Sequence, residues 1–438
     1  MAAALPPVPE EQAFLETFFQ CLSQFAFDKA KELSEKERDS HDAAFGSSWG
    51  LLLNSLGHLA FSEKMYMSLM FLGQKWFGRK DNLRSSYSVL LSELKKIEEH
   101  AASASDYPGK VRTPERILGH LCGQLCQFLT ARTKMMDFYE QLATMGSQKT
   151  TYEDLENVIT EIIQAHQKSF HHPILSPLKN AFSLECDIVH NLLLAQMDMA
   201  QLKFLSSLIH LHDAHSKLAS WMPALQSREQ SKKLGFSRQP SMPALYQWLV
   251  RYKAALVAKF SLYFYETLSK QAPPGDLKAL IAKTPVDFYA RIVTFHKKSD
   301  ASHVSAVFDT SGLEEPYRGP GYHHPLKIVE SPTGLDSYPA VFSYPGERPA
   351  AHWPNVIMII NDRAAELGHI DKVVHFYDKQ VQSTYFLAQI EPRLTFVVIF
   401  DNNKKSERDS YVCNFIQDIC TQLRCTKIFS TLKPGGKS

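Results

Sequence analysis

Apolar side chains recur every three or four positions from residue 10 to about residue 285, which is the spacing of one face of an α-helix. The first segment carries Phe14, Phe18 and Leu22, and a second segment runs from Trp49 to Met70. Such stripes are typical of helices that bury one face against their neighbours. The pattern therefore predicts a succession of amphipathic helices in this part of the chain.

Two segments in this region are long. Thr113 and Pro114 are suited to the N-cap and first position of a helix that should end near Gly146. A longer segment begins at Ser176 and stops before Pro223, and unbroken it would measure about 65 Å. A helix of that length needs long neighbours to cover its stripe. We therefore predict an elongated α-helical bundle over residues 1–285, built from these two segments, a hairpin over residues 10–73 and a segment over residues 242–271.

The pattern changes after Pro273 and Pro274. Eight prolines and five glycines between Gly312 and Pro354 predict a long irregular loop over residues 310–354. Short runs of β-branched and aromatic residues predict five strands, at residues 303–308, 340–344, 355–360, 383–390 and 394–400. The last two should form a hairpin, and a final helix should begin at Ser406, capped by its hydroxyl. Residues 286–438 are thus predicted to form an α+β domain with a five-stranded, mainly antiparallel sheet.

Charge and cysteine content narrow the class of protein. The 438 residues include 48 basic and 46 acidic side chains, so a broad attraction to nucleic acid or to an anionic bilayer is not expected. The sequence contains no run of 18 apolar residues, so no membrane span is predicted. The first residues lack the features of a signal peptide. The seven cysteines contain no C-x-x-C pair. We therefore expect a cytoplasmic protein with reduced thiols and no direct membrane insertion.

The sequence HLHDAH places His210, His212, Asp213 and His215 close together and resembles a zinc motif of metal-dependent hydrolases. The aspartate stands one position early, and the motif falls within a helical stripe. Residues two apart on a helix point in nearly opposite directions, so His210 and His212 should not share a metal. We expect His215 to be a core residue, beside Leu211 and Leu218. A metal-dependent hydrolase that uses this cluster is nevertheless kept as an alternative.

Other motifs for catalysis or cofactor binding are incomplete or missing. Residues 73–80, GQKWFGRK, have the glycine spacing of a phosphate-binding loop but lack its lysine and its hydroxyl residue. The pairs at residues 171–172 and 323–324 are adjacent histidines before a proline, which favours a role in turns. The chain has no G-x-S-x-G, H-E-x-x-H or G-x-G-x-x-G sequence. We therefore expect that the protein is not an enzyme and binds no cofactor. A small-ligand sensor in the sheet domain is a further alternative.

Two features favour protein binding. Ser241, within RQPSMP, matches a basic-directed phosphorylation site that an arginine-cluster reader could bind. The proline- and glycine-rich loop combines aromatic and cationic side chains, a composition found at protein interfaces, although the loop could instead pack on its own sheet. The residues predicted to contact partners are Tyr322, His352, Trp353, Lys404, Lys405 and Arg408.

Several longer strings resemble the KICSTOR complex subunit 2 family nearly from end to end. They include LETFF (15–19), FHHPILSPL (170–178), HWPNVIMII (352–360), KVVHFYDKQVQSTYFL (372–387) and KKSERDS (404–410). The segment over residues 226–243, which contains Ser241, departs from the family.

The resemblance implies a function without catalysis. It implies a scaffold subunit that, with other KICSTOR subunits, holds the first GATOR complex at lysosomes and so restrains mTOR complex 1 when amino acids or glucose are scarce. The implied partners are kaptin, the FG-GAP repeat subunit and the large seizure-threshold subunit. The implied location is the cytosolic face of the lysosome, reached through those partners. The resemblance also implies that the sheet domain is similar to the profilin, longin and roadblock class.

Overall fold

The chain is mostly helical and carries one five-stranded antiparallel sheet near its C-terminus, as predicted for an α+β protein. The structure, a computed structural model, describes residues 10–40, 48–73, 82–105, 113–145, 150–221, 242–313, 315–324, 326 and 330–434.

Among the described residues, the helices before the sheet are α1 (Glu10–Ser23), α2 (Phe27–Ser40), α3 (Ser48–Met67), α4 (Asn82–Ser105), α5 (Thr113–Ala143), α6 (Tyr152–His166), α7 (Ser176–Ala200), α8 (Phe204–Trp221), α9 (Ala244–Tyr263), α10 (Tyr265–Gln271), α11 (Pro274–Ile281) and α12 (Phe288–Ser299). The predicted hairpin over residues 10–73 was wrong, because this stretch holds three α-helices and a short 3₁₀ turn at Met70–Leu72. Phe25, with a left-handed φ of 58°, ends α1 and lets α2 begin at Phe27.

The single long helix predicted from residue 176 is also broken. It ends at Ala200, and α8 starts at Phe204 after Leu202 adopts a left-handed φ of 54°. The amide of Lys203 donates to the carbonyl of Asp198 at 2.9 Å, which satisfies one of the last carbonyls of α7. His215, expected in the core, is exposed because the buried stripe of α8 passes through Leu211, Ala214 and Leu218 instead.

The chain divides into two compact units. The first comprises Met1–His190, Asp213–Val250 and Phe429–Ser438, and the second comprises Asn191–His212 and Arg251–Ile428. The domain boundary that the sequence placed at residue 285 stays a prediction. In the first unit, large side chains such as Phe18, Leu56, Phe128 and Phe138 are fully buried among the helices.

The sheet belongs to the second unit. Its strands are β1 (His303–Phe308), β2 (Ala340–Tyr344), β3 (Val374–Asp378), β4 (Ser383–Glu391) and β5 (Leu394–Phe400), in the order β2-β1-β5-β4-β3. All neighbouring strands are antiparallel. The predicted hairpin between β4 and β5 is confirmed, and Glu391 pairs with Leu394 across it.

One predicted strand is a helix. Residues 355–360 lie in α13 (Trp353–Asp362), which starts with Pro354 in its first turn and is followed by α14 (Ala364–Leu367). The sheet still has five strands because it contains β3, which was not predicted from the sequence. The loop predicted over residues 310–354 also contains a 3₁₀ turn at Gly334–Ser337, besides β2.

Helices cover both faces of the sheet. Trp353, Val356 and Ile359 of α13 pack with Val397 and Ile399 of β5 on one face. On the other face, Phe415 of α15 (Ser410–Leu423) stacks on Phe295 of α12 at 3.9 Å between ring centroids and lies 6.3 Å from Phe396. A short helix, α16 (Thr426–Ser430), follows.

The predicted cap of the last long helix was wrong by three residues. Asp409, not Ser406, caps α15, since its carboxylate accepts from the amides of Tyr411 and Val412 at 3.1 and 3.2 Å. A carboxylate also interacts more favourably than a hydroxyl with the positive end of the helix dipole.

Candidate interaction surface and buried ionic networks

A buried arginine joins three helices of the first unit. The Arg132 guanidinium, on α5, donates from Nε to Glu63 Oε2 at 3.0 Å and from Nη1 to Glu185 Oε2 at 2.6 Å. Glu63 lies on α3 and Glu185 on α7. Burial works to lower the pKa of Arg132, but the two carboxylates raise it well above its usual range. The group is therefore a fixed cation that pairs with both buried acids.

Three tyrosines complete this Arg132 network. Tyr66 and Tyr139 donate to Glu185 Oε1 at 2.6 and 3.2 Å, and Tyr87 donates to Glu63 Oε1 at 2.8 Å. Burial, followed by the nearby carboxylate, raises the pKa of each phenol well above its usual value, so all three remain donors. All six side chains are buried. Their arrangement holds the helices in register and presents no reactive group to solvent.

A second network fixes the β4–β5 hairpin to helices of the second unit. Lys259, on α9, is fully buried and pairs with Glu391 at the end of β4. Gln196 of α7 accepts from Lys259 Nζ at 3.1 Å and donates to Glu391 Oε1 at 2.7 Å. Tyr263 donates to Glu391 Oε2 at 3.2 Å, and burial raises the pKa of its phenol well above the usual value. Both carboxylate oxygens of Glu391 are therefore satisfied.

Neither network was predicted from the sequence, although a signal was present. Arg132 stands on the apolar stripe between Phe128 and Met135, where a charged residue is unexpected. Glu63 and Glu185 likewise occupy stripe positions of α3 and α7. A charge on a buried stripe requires a partner of opposite sign, so these three residues could have been paired with one another.

Two residues predicted to contact partners serve the interior of the sheet domain. Trp353 is 1% exposed, and its indole donates to the carbonyl of Tyr338 at 2.9 Å. His352 is half-buried between Tyr385 Oη, 2.8 Å from its Nδ1, and Asp401 Oδ1, 2.9 Å from its Nε2. Their interface role stays a prediction, and the described conformation gives both side chains contacts within the fold.

The three predicted cations near residue 404 are closer to the surface. Lys404 Nζ lies 5.4 Å from the ring centre of Tyr377, and Lys405 Nζ lies 5.1 Å from that of Phe400. Such distances allow cation–π attraction. Arg408 is exposed just before α15. These side chains can reach a partner, so their predicted role is compatible with where they lie.

Tyr322 belongs to a surface groove of about 730 Å³ within the second unit. One wall is the start of α8, with Leu205 and Ile209, and the other is the loop over residues 312–323. Gly321 has a φ of 107°, and a Cβ there would lie 3.0 Å from Thr267, so only glycine fits this turn. Lining residues also include the cations Lys203, Arg318 and Arg393 and the acid Glu315. The groove therefore combines apolar, aromatic and basic side chains.

The histidines considered as metal ligands are not brought together. His210 lies 3.0 Å from Asn191 Oδ1 and 3.5 Å from Asp198 Oδ2, while His212 and His215 are exposed. In the part of the chain that the structure describes, no group of three or more His, Cys, Asp or Glu side chains is placed to hold a metal ion.

The other residues considered from the sequence as functional either form hydrogen bonds within turns or lie outside the described residues. His172 and His324 accept from the amides of Ile174 and Leu326, at 3.3 and 3.2 Å, which fits the turn role expected of both histidine pairs. Ser241 and most of the glycine-spaced segment at residues 73–80 lie outside the described ranges.

All seven cysteines are free thiols, and six of them are buried. Burial raises the pKa of Cys122 to about 12 and that of Cys126 to about 11. Among the described helices, none is long and apolar enough to cross a membrane.

Comparisons with known proteins place the chain in a family. The family model described as "KICSTOR complex C12orf66 like" matches residues 3–437. A zebrafish (Danio rerio) protein named KICSTOR subunit 2 is 48% identical over 99% of this chain and 98% of its own length. A Xenopus laevis protein of the same name is 44% identical over 99% of this chain and 100% of its own. The described residues form an α+β fold with two buried ionic networks and no metal centre. This chain belongs to the KICSTOR complex C12orf66 like family.

Proposed function

We propose that this chain is a non-enzymatic scaffold subunit of the KICSTOR complex. The observation that carries the proposal is the identity of 48% and 44% to proteins named KICSTOR subunit 2, which extends over almost the whole of each chain. Similarity of that extent spans both compact units, rather than one module shared by unrelated proteins.

The positions of the charged groups are consistent with a scaffold role. The Arg132 and Lys259 networks use their ionic groups to fix helices and the β4–β5 hairpin, so these groups serve the fold. Surface features that remain are suited to contacts with proteins: the groove around Tyr322 and the cations Lys404, Lys405 and Arg408. Interfaces are typically enriched in aromatic residues and arginine.

The finer proposal concerns what the complex does. We infer that the chain binds kaptin, the FG-GAP repeat subunit and the large seizure-threshold subunit, and through them helps to recruit the first GATOR complex to lysosomes. Loss of the chain would then leave mTOR complex 1 active during amino acid or glucose deprivation. The location would be peripheral, on the cytosolic face of the lysosome, through these partners.

The test uses cells that lack the chain and cells in which the full-length chain is restored. The measured quantity is the fraction of GATOR complex that colocalises with a lysosomal marker after amino acid withdrawal. We expect this fraction to fall without the chain and to recover with it, while mTOR complex 1 substrate phosphorylation changes in the opposite direction. An unchanged fraction in cells that lack the chain would contradict the recruiting role.

A further inference from the structure

The start of α8 exposes an apolar stripe. Leu205, Leu208 and Ile209 are 44%, 41% and 49% exposed, and they recur at three and four positions on one helix face. Tyr322, 56% exposed, stands on the opposite wall of the groove. Scattered apolar side chains on a surface need no explanation, but exposed apolar side chains that together line a groove, as Leu205, Ile209 and Tyr322 do, mark a binding surface. The spacing suits a partner that presents its own helical stripe.

The charges that line the groove are mainly positive. Lys203, Arg318 and Arg393 stand against one acid, Glu315. Arg393 also donates from Nη2 to the carbonyl of Gly312 at 3.2 Å and from Nη1 to that of Ser311, so its cation is anchored at the rim. An occupant with carboxylates would complement these cations.

The same charges argue against a second copy of this chain. A symmetric dimer brings identical patches together, so Lys203 and Arg318 of one copy would approach those of the other. Like charges placed across an interface cost several kcal/mol, on the order of the binding energy of a weak complex. A different protein with acidic side chains avoids this repulsion.

We propose that this groove binds an acidic amphipathic helical segment of another protein of the same complex. Its apolar face packs on Leu205, Ile209 and Tyr322, and its carboxylates face Lys203, Arg318 and Arg393. The inference rests on the proposed function, since it assigns one surface of the chain to a neighbouring subunit.

Photo-crosslinking identifies the occupant. The full-length chain carrying Tyr322→p-benzoylphenylalanine is co-expressed with the other KICSTOR subunits, purified as the complex and irradiated, and the crosslinked peptides are sequenced by mass spectrometry. We expect one segment of another subunit, with apolar residues at helical spacing and Asp or Glu beside them. The matched control is Leu280→p-benzoylphenylalanine, an exposed apolar position on α11 that does not line the groove.

Charge reversal then tests the electrostatic part. The double variant Lys203→Glu/Arg318→Glu should weaken binding of the crosslinked subunit about tenfold or more, and reversal of the partner's acids to Lys should restore it. Lys278→Glu, an exposed lysine of α11, should change the affinity less than about twofold. Restoration by the swapped charges excludes misfolding as the cause of the loss.

Several results would overturn the proposal while leaving the proposed function standing. They are assembly of the complex without any crosslink from residue 322, a crosslink to a second copy of this chain or to bound nucleic acid, and a double variant that binds as tightly as the wild type. Failure of the wild-type chain to join the complex would instead contradict the proposed function itself.

Discussion

Arg132 Nη1 lies 2.6 Å from Glu185 Oε2, and the two side chains are only 4% and 1% exposed. The pair joins α5 to α7, and Glu63 on α3 meets the same guanidinium from another side, with its Oε2 2.9 Å from Nη2. An ion pair this deep is retained only when every charge has a partner, because an unpaired buried charge is costly. The first compact unit is thus held by polar groups as well as by apolar packing.

Replacement of Arg132 should strongly destabilise the protein. Arg132→Met leaves Glu63 and Glu185 buried without their cation, and we expect the free energy of unfolding to fall by about 3–5 kcal/mol. Denaturant unfolding followed by circular dichroism measures the change. Arg84→Met is the control, since Arg84 pairs with Asp137 and Glu140 nearer the surface and should cost about 1 kcal/mol or less. Equal losses for the two variants would contradict the role given to the Arg132 network.

The Lys259 network should show strong coupling between its two charges. In a double-mutant cycle of Lys259→Met and Glu391→Gln, each single variant leaves a buried partner unsatisfied, so the double variant should lose about 1–3 kcal/mol less than the sum. The exposed pair Lys270 and Glu266, treated in the same way, should couple far more weakly, because solvent screens its charges. If the losses at Lys259 and Glu391 add without coupling, the buried pair is not formed as described.

Stability should depend on the protonation of His166. Neither ring nitrogen of this buried histidine has a hydrogen-bond partner among the described residues, and the ring lies 6.3 Å from those of Phe170 and Phe182. Burial, followed by the charge of Lys134, lowers the pKa of His166 in the folded protein. The unfolded chain therefore binds a proton near pH 6.5 while the folded chain does not, and stability should be lost as the pH falls below about 6.5.

His166→Phe should reduce that pH dependence. Between pH 7.5 and 5.5 the free energy of unfolding of this variant should fall less steeply than that of the wild type. Some slope should remain, because burial also lowers the pKa values of His172 and His303. The control is His369→Gln, at an exposed histidine, which should keep the wild-type slope. An identical slope in His166→Phe and wild type would show that this imidazole does not stay neutral on folding.

Substitutions at Trp353 and Tyr322 should distinguish a loss of core packing from a loss of partner binding. Trp353→Ala removes a buried indole and its hydrogen bond to Tyr338, so we expect a loss of about 3–5 kcal/mol in thermal or denaturant unfolding. Tyr322→Ala removes an exposed ring and should change stability by about 0.5 kcal/mol or less while weakening partner binding. Unchanged stability in Trp353→Ala would refute the packing of α13 on the sheet.

Local patterns predicted much of the fold. The four strands β1, β2, β4 and β5 follow from runs of β-branched and aromatic residues, and the hairpin at Pro392 follows from the short break between two of them. The run NVIMII at residues 355–360 was misassigned, because its five consecutive apolar residues fit a buried strand and a buried helix equally well. Pro354 in the first turn was the signal for a helix.

The sequence could not show contacts between distant residues. It also could not show a break in a helix that leaves the spacing of apolar residues unchanged. Gln196 and Glu391 are 195 residues apart, and no local pattern links them. The break at Leu202 keeps the apolar stripes of α7 and α8 in step, so spacing alone indicated one helix. The groove likewise depends on the loop over residues 312–323 lying beside α8, and only Tyr322 among the predicted interface residues belongs to it.

The most direct test of the central claim is whether the chain is a stoichiometric part of the assembly. The full-length chain is co-expressed with kaptin, the FG-GAP repeat subunit and the large seizure-threshold subunit, purified through a tag on one of these partners, and the native mass of the product is measured. We predict that the chain remains bound through gel filtration in fixed ratio to the partners, and that its omission lowers the mass by a whole number of copies. Elution of a folded chain apart from all three partners would contradict the account.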